Sequence, residues 1–139
     1  MIEKAIKIIM TSFNGKVDKG GHSYIRHLER VANNFHTYDY IITALLHDLL
    51  EDCPEWSEQK LRLEFPFPIV DAVVCLTKLN NEHYDDYINR VKSNRISLLV
   101  KIADLKDNMD ITRLKKITDK DIERLKKYHK TWLELSSLV

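Results

Sequence analysis

Residues 41–52 read IITALLHDLLED, and the fold turns on this stretch. Apolar residues stand at Ile41, Ile42, Ala44, Leu45, Leu46, Leu49 and Leu50, on most sides of a helix, which predicts a central helix buried all round. Asp39 is placed to cap it and Pro54 to end it. His47, Asp48, Glu51 and Asp52 break the apolar pattern. Residues three and four apart share a helix face, so His47 stands over Glu51, and Asp48 over both Glu51 and Asp52. Carboxylates crowded into one turn repel each other, and in a core they need a compensating cation. Taken alone, HDLLED is explained equally well by a solvated acidic helix end with a hydrogen-bonded histidine.

Outward from this stretch the chain reads as further helices. Ile2 to Phe13 places Ile2, Ala5, Ile6, Ile9 and Phe13 at amphipathic spacing. All three glycines fall in the loop NGKVDKGGHS, residues 14–23. Helices follow from Ser23 to Phe35, from Ser57 through WSEQKLRLEF, from Tyr84 to Val91 and from Ile96 to Met109. Pro66 and Pro68 separate IVDAVVCLTK from the segment before it, and its β-branched run has no turn and partner strand to make it a hairpin. The last helix starts near Thr118 or Asp119 and packs through Ile122, Leu125, Tyr128, Trp132 and Leu135. The expected fold class is all-α, a single domain over residues 1–139 with about seven or eight helices around one core.

Composition narrows the functions. A net charge of +1 gives no general reason to expect nucleic acid or an anionic membrane as partner, although an anionic small molecule needs only a few cations. Cys53 and Cys75 form no CxxC motif and read as reduced thiols of a cytoplasmic protein. MIEKAIKIIM is too short and too charged for a signal peptide, and no apolar run approaches the roughly 18 residues of a membrane span. The oligomeric state stays open.

Two more segments sharpen the chemistry. In LLVKIADLKDNMD, residues 98–110, Asp104 sits beside the stripe of Leu98, Ile102 and Leu105, with Lys101 and Asn108 one turn away on either side. An exposed acid paired with Lys101 is the plainer account. In YIRHLERV, residues 24–31, His27 lies beside Leu28. His27, His47, Asp48 and Asp104, drawn from three helices, make an N/O ligand set suited to Mn, Fe, Zn or Mg. A divalent ion in such a site acidifies water and polarises a phosphoryl oxygen. Glu51 and Asp52, one turn on, are candidates to orient or deprotonate that water and to protonate a leaving group. Lys16 and Lys19 before the first ligand helix, and Lys101, are candidate phosphate contacts. Tyr24 is expected to pack, and His22, His36, His83 and His129 show no partner pattern.

GGHSYIRHLERVA, ALLHDLLED, LTKL and KIADLKDNMD, together from about Lys16 to Leu114, resemble the hydrolase domain of the RelA/SpoT group of HD-superfamily phosphohydrolases and its small stand-alone relatives. The resemblance implies an HD-type helical bundle with manganese held by His27, His47, Asp48 and Asp104. It implies that Glu51 and Asp52 act on the attacking water and that Asn108 sits against a nucleoside. The implied reaction removes pyrophosphate from the 3′ position of guanosine tetraphosphate, and the implied partner is a small phosphorylated nucleotide. Two departures stand out. The group's base-stacking arginine is missing from KVDKGG, where Asp18 or Lys19 stands near its place, and the motif Ala-Asp-Arg-Leu-His-Asn-Met is here ADLKDNM, with Leu105 for the arginine and Asp107 for the histidine. Those changes leave two alternatives: a catalytically silent nucleotide-binding regulatory module, and an HD nucleotide phosphatase with another substrate.

Overall fold

Helix boundaries fall where short polar residues and prolines stand. The computed structural model describes every residue from Met1 to Val139. Its elements are α1 (Ile2–Ser12), α2 (Tyr24–Ala32), α3 (Tyr38–Leu46), α4 (Leu49–Asp52), α5 (Glu58–Arg62), α6 (Phe67–Cys75), α7 (Tyr84–Lys92), α8 (Arg95–Asn108), a 3-10 turn at Ile111–Arg113 and α9 (Asp119–Ser136). Seven helices have nine or more residues, α4 and α5 are single turns, and one isolated bridge, Val17 to Ser23, is the only β pairing, so the fold is all-α. Thr118 and Asp121 form a full capping box at the start of α9. Ser57 accepts the Lys60 N–H at the start of α5, and Asn94 accepts the Ser97 N–H at the start of α8. Pro66 precedes α6 and Pro68 lies in its first turn, where the missing N–H costs nothing.

Three expectations are corrected. The single helix expected through residue 52 breaks at His47 and Asp48, where Asp48 has φ −101° and ψ 1° and α4 begins afresh. The His47 ring takes the Ala44 carbonyl at 2.6 Å in place of the backbone ladder. Thr37, rather than Asp39, takes the cap position of α3, and Asp39 sits in the first turn, where its charge suits the helix dipole. In α9, Leu135 is buried and Leu125, Tyr128 and Trp132 are half-buried, but Ile122 is 42% exposed, because the first turns of α9 border a cavity instead of the core.

As the apolar pattern of residues 41–50 implies, α3 is central and packs on α1, α2, α6 and α8. Ile42 and Leu46 of α3 join Phe13, Leu28, Leu49, Leu61, Ile69, Leu105 and Leu135 in one contiguous buried cluster. Truncating any of these to Ala would cost about 2–5 kcal/mol. No helix is long and apolar enough to cross a membrane.

Candidate metal centre and the cavity beside it

The break after α3 determines how His47 is presented. With Nδ1 engaged by the Ala44 carbonyl at 2.6 Å, Nε2 faces Asp48 Oδ2 at 3.1 Å and Asp104 Oδ1 at 3.2 Å. From α2, His27 engages Asp107 Oδ2 through Nδ1 at 2.6 Å, and its Nε2 lies 2.9 Å from Asp104 Oδ1 and 3.8 Å from Asp48 Oδ2. His27, His47 and Asp104 are each under 5% exposed, which is too deep for an acidic surface cluster. The plainer account of Asp104, an exposed acid beside Lys101, holds only in half: Lys101 does donate to Oδ2 at 3.0 Å, but the carboxylate is buried.

These residues fit a divalent ion. One ligand atom from each of His27, His47, Asp48 and Asp104 lies within 4.8 Å of all the others. Ligands bonded at about 2.1 Å to one ion lie about 3 to 4 Å apart. His27 Nε2 is buried and lacks a hydrogen-bond partner, since its approach to Asp104 is badly angled.

The electrostatics follow from packing imidazoles against carboxylates. Burial pulls His27 down, but the close carboxylates of Asp104 and Asp107 outweigh it and hold the ring up at about 9. Burial likewise opposes the charged form of His47, and Asp48 and Asp104 overcome it. Burial would lift Asp104, yet Lys101, His47 and His27 keep it well below the usual carboxylate range.

A cavity of about 370 Å³ opens beside this group. His27, Asp48 and Asp104 form its floor, and Lys19, Glu51, Asp52, Lys101 and Asn108 stand in its walls. Glu51 Oε1 accepts the Lys78 N–H at 3.0 Å, and burial raises its pKa. Partial burial, then the neighbouring Asp48 and Glu51, push Asp52 up to about 6. Asn108 donates to Asp104 Oδ1 at 3.2 Å. Lys16, weighed as a phosphate contact, is engaged elsewhere: its Nζ donates to the Asp52 carbonyl at 2.6 Å and leans toward Cys53 Sγ. Tyr24 does more than pack. Its ring stacks on Phe13 at 5.5 Å, while its hydroxyl donates to Asp48 Oδ2 at 2.6 Å.

The sequence reading missed part of the wall. Arg113 follows the 3-10 turn's Asp110 cap, and Arg124, Leu125 and Tyr128 come from α9. Arg124 and Tyr128 are four residues apart on one helix face, a signal legible in principle but indistinguishable from ordinary packing.

No family model matches the sequence, and no curated protein matches it. Among solved structures, the fold matches a metazoan ortholog of SpoT that hydrolyses ppGpp and plays a role in starvation responses. The TM-score is 0.77, with 16% sequence identity over 96% of this chain and 84% of the other. The chain shares the fold of that structure, and its His and Asp group could hold a metal ion.

Proposed function

We propose that this chain is a metal-dependent phosphohydrolase acting on a phosphate ester or pyrophosphate group of a nucleotide, with guanosine tetraphosphate-like molecules as the first substrates to try. The observation that carries the reading is the grouping of His27, His47, Asp48 and Asp104, three of which, His27, Asp48 and Asp104, line a cavity that Glu51 and Asp52 also line. Simple ligand binding gives no reason to crowd two acids beside buried carboxylates. The four grouped residues would hold a divalent ion, manganese by preference, which supplies Lewis acidity toward a phosphoryl oxygen and a lowered pKa for water.

The remaining roles belong to the chain's own side chains. Glu51 and Asp52, both raised above their ordinary values, take the proton of the attacking water at a carboxylate oxygen and return one to the leaving group. Lys19, Arg113 and Arg124 offer cations to the phosphates. Asn108 can hydrogen-bond the nucleoside, while Leu125 and Tyr128 offer it an apolar wall. Lys101 is held by Asp104 in the same wall.

The test is product analysis of the manganese-loaded protein against a nucleotide panel that includes guanosine tetraphosphate, with Asp104→Ala as control. Pyrophosphate release from the tetraphosphate, abolished in the control, is the expected result. Turnover of another nucleotide only would keep the chemistry and move the substrate. Metal binding with no turnover of any nucleotide would overturn the enzyme reading in favour of a silent nucleotide-binding module.

A further inference from the structure

Asp107 is left without a role by the hydrolytic scheme, yet His27, Arg30 and Arg113 all converge on its carboxylate. Its Oδ2 lies 2.6 Å from His27 Nδ1. Arg30 donates to it as a fork, Nε to Oδ1 at 2.8 Å and Nη2 to Oδ2 at 3.2 Å. Arg113 Nη2 reaches the Asp107 backbone carbonyl at 2.9 Å and Oδ2 at 3.4 Å. The carboxylate is 12% exposed and the His27 ring 3% exposed, so water competes little for either.

We propose that Asp107 is a positioning residue for the metal centre: it accepts the His27 Nδ1–H, fixes that tautomer and ring orientation, and so leaves the Nε2 lone pair facing Asp48 and Asp104, while Arg30 and Arg113 hold the carboxylate in place. The inference rests on the reading of His27 as a ligand.

A ligating imidazole needs its second nitrogen engaged, and a carboxylate there also raises the basicity of the first. The two histidines meet this need differently. His47 uses the neutral carbonyl of Ala44, three residues back in its own chain segment, whereas His27 uses a charged group on another helix. Arg30 and Arg113 aim three N–H groups at the Asp107 oxygens, so the carboxylate is placed as an acceptor and Nδ1 as the donor of the shared hydrogen bond. An isolated buried carboxylate would tend to take that proton itself. The same arginines explain why an acid is tolerated at a position where the last motif of the resembling group carries a base.

The test uses the full chain and three variants, Asp107→Ala, Asp107→Asn and His27→Ala. Manganese affinity is measured by calorimetry, and thermal melts in chelator report folding. Ring nitrogen shifts of the zinc-loaded wild type report the His27 tautomer. Expected are a proton on Nδ1 in the wild type, an affinity loss of about 10- to 100-fold in Asp107→Ala, and partial recovery in Asp107→Asn, which restores an acceptor oxygen without the charge. A folded Asp107→Ala that binds manganese within threefold of wild type, while His27→Ala does not, overturns this inference alone. Unchanged binding by His27→Ala overturns the metal-centre reading beneath it. Should both Asp107 variants fail to fold, a zinc-loaded wild type whose His27 is protonated at Nε2 still refutes the proposal.

Discussion

The Tyr24 hydroxyl donates to Asp48 Oδ2 at 2.6 Å, joining the first turn of α2 to the break between α3 and α4. The same Oδ2 lies 3.1 Å from His47 Nε2, so one hydroxyl restrains the carboxylate at the centre of the cluster. Tyr24→Phe removes the donor and keeps the ring that stacks on Phe13. We expect a fold and melting temperature close to wild type with manganese affinity lowered about tenfold, the usual cost of losing a partner of a ligand. Calorimetry on the two proteins checks it, and equal affinities would reduce Tyr24 to a packing residue.

Ligand binding to the folded state alone raises stability, by about 2.7 kcal/mol at a hundred times the dissociation constant. If His27, His47, Asp48 and Asp104 hold the ion together, manganese raises the melting temperature of the wild type by several degrees, and chelator reverses the rise. Asp104→Asn keeps the shape of the side chain but not its charge, and its melting curve should be nearly indifferent to manganese. A variant stabilised as strongly as wild type would place the ion elsewhere.

What was legible in the sequence depended on whether a signal was local. The start of α9 was written near Thr118 and Asp119, and the start of α6 in two prolines, because caps and proline act within one turn. His47, Asp48 and Asp104 were legible because each interrupts an apolar helix, and polar groups in such places must find partners; His27 lies in the mixed segment YIRHLERV, and only its company with the other three marked it. The break at His47 and Asp48 was not, since neither glycine nor proline marks it and the bond that accompanies it, from the His47 ring to the Ala44 carbonyl, leaves no mark in the sequence. Arg113, Arg124 and Tyr128 escaped for another reason. They reach the cavity only after α8 and α9 pack; Arg113 belongs to the 3-10 turn between those helices, and on α9 Arg124 and Tyr128 follow the same spacing as core residues.

Arg90 organises the connection between α6 and α7. It donates to the Val74 and Thr77 carbonyls at 3.0 and 2.8 Å and to both oxygens of Glu82. The hydrogen bonds from Arg90, then that from the Leu79 N–H, hold Glu82 down at about 2. A carboxyl depressed in the folded state stabilises it above the unfolded value, near 4.5, and that contribution fades as pH falls toward about 2. Glu82→Gln should therefore melt below wild type at pH 7, with the gap shrinking steadily below pH 4.5. A gap of constant size from pH 7 to pH 3 would show that shape, not charge, holds this clamp. Because the same connection supplies the Lys78 N–H to Glu51, the variant should also lose part of its activity at pH 7.

Gly20 joins the loop before α2 to the turn after α8 by close approach. A Cβ built there would stand 2.6 Å from the Arg113 carbonyl oxygen, and backbone cannot yield as a flexible side chain can. The Gly20 N–H donates to Asp18 Oδ1 at 2.9 Å, and Asp18 also receives the His22 N–H, so the loop has little slack to absorb the displacement. Lys19 and Arg113 both line the cavity, so pushing these segments apart moves two of its cations without touching His27, His47, Asp48 or Asp104. Gly20→Ala is therefore expected to raise KM for a phosphorylated substrate about tenfold or more, the loss of roughly one charge-assisted hydrogen bond. Its manganese affinity should fall far less than tenfold, because the Arg30 fork still holds Asp107 when Arg113 shifts. Steady-state kinetics and calorimetry on the same preparation separate the two effects. An unchanged KM would mean that the substrate does not use this side of the cavity, and its phosphates would then have to be sought nearer Lys101 and Arg124.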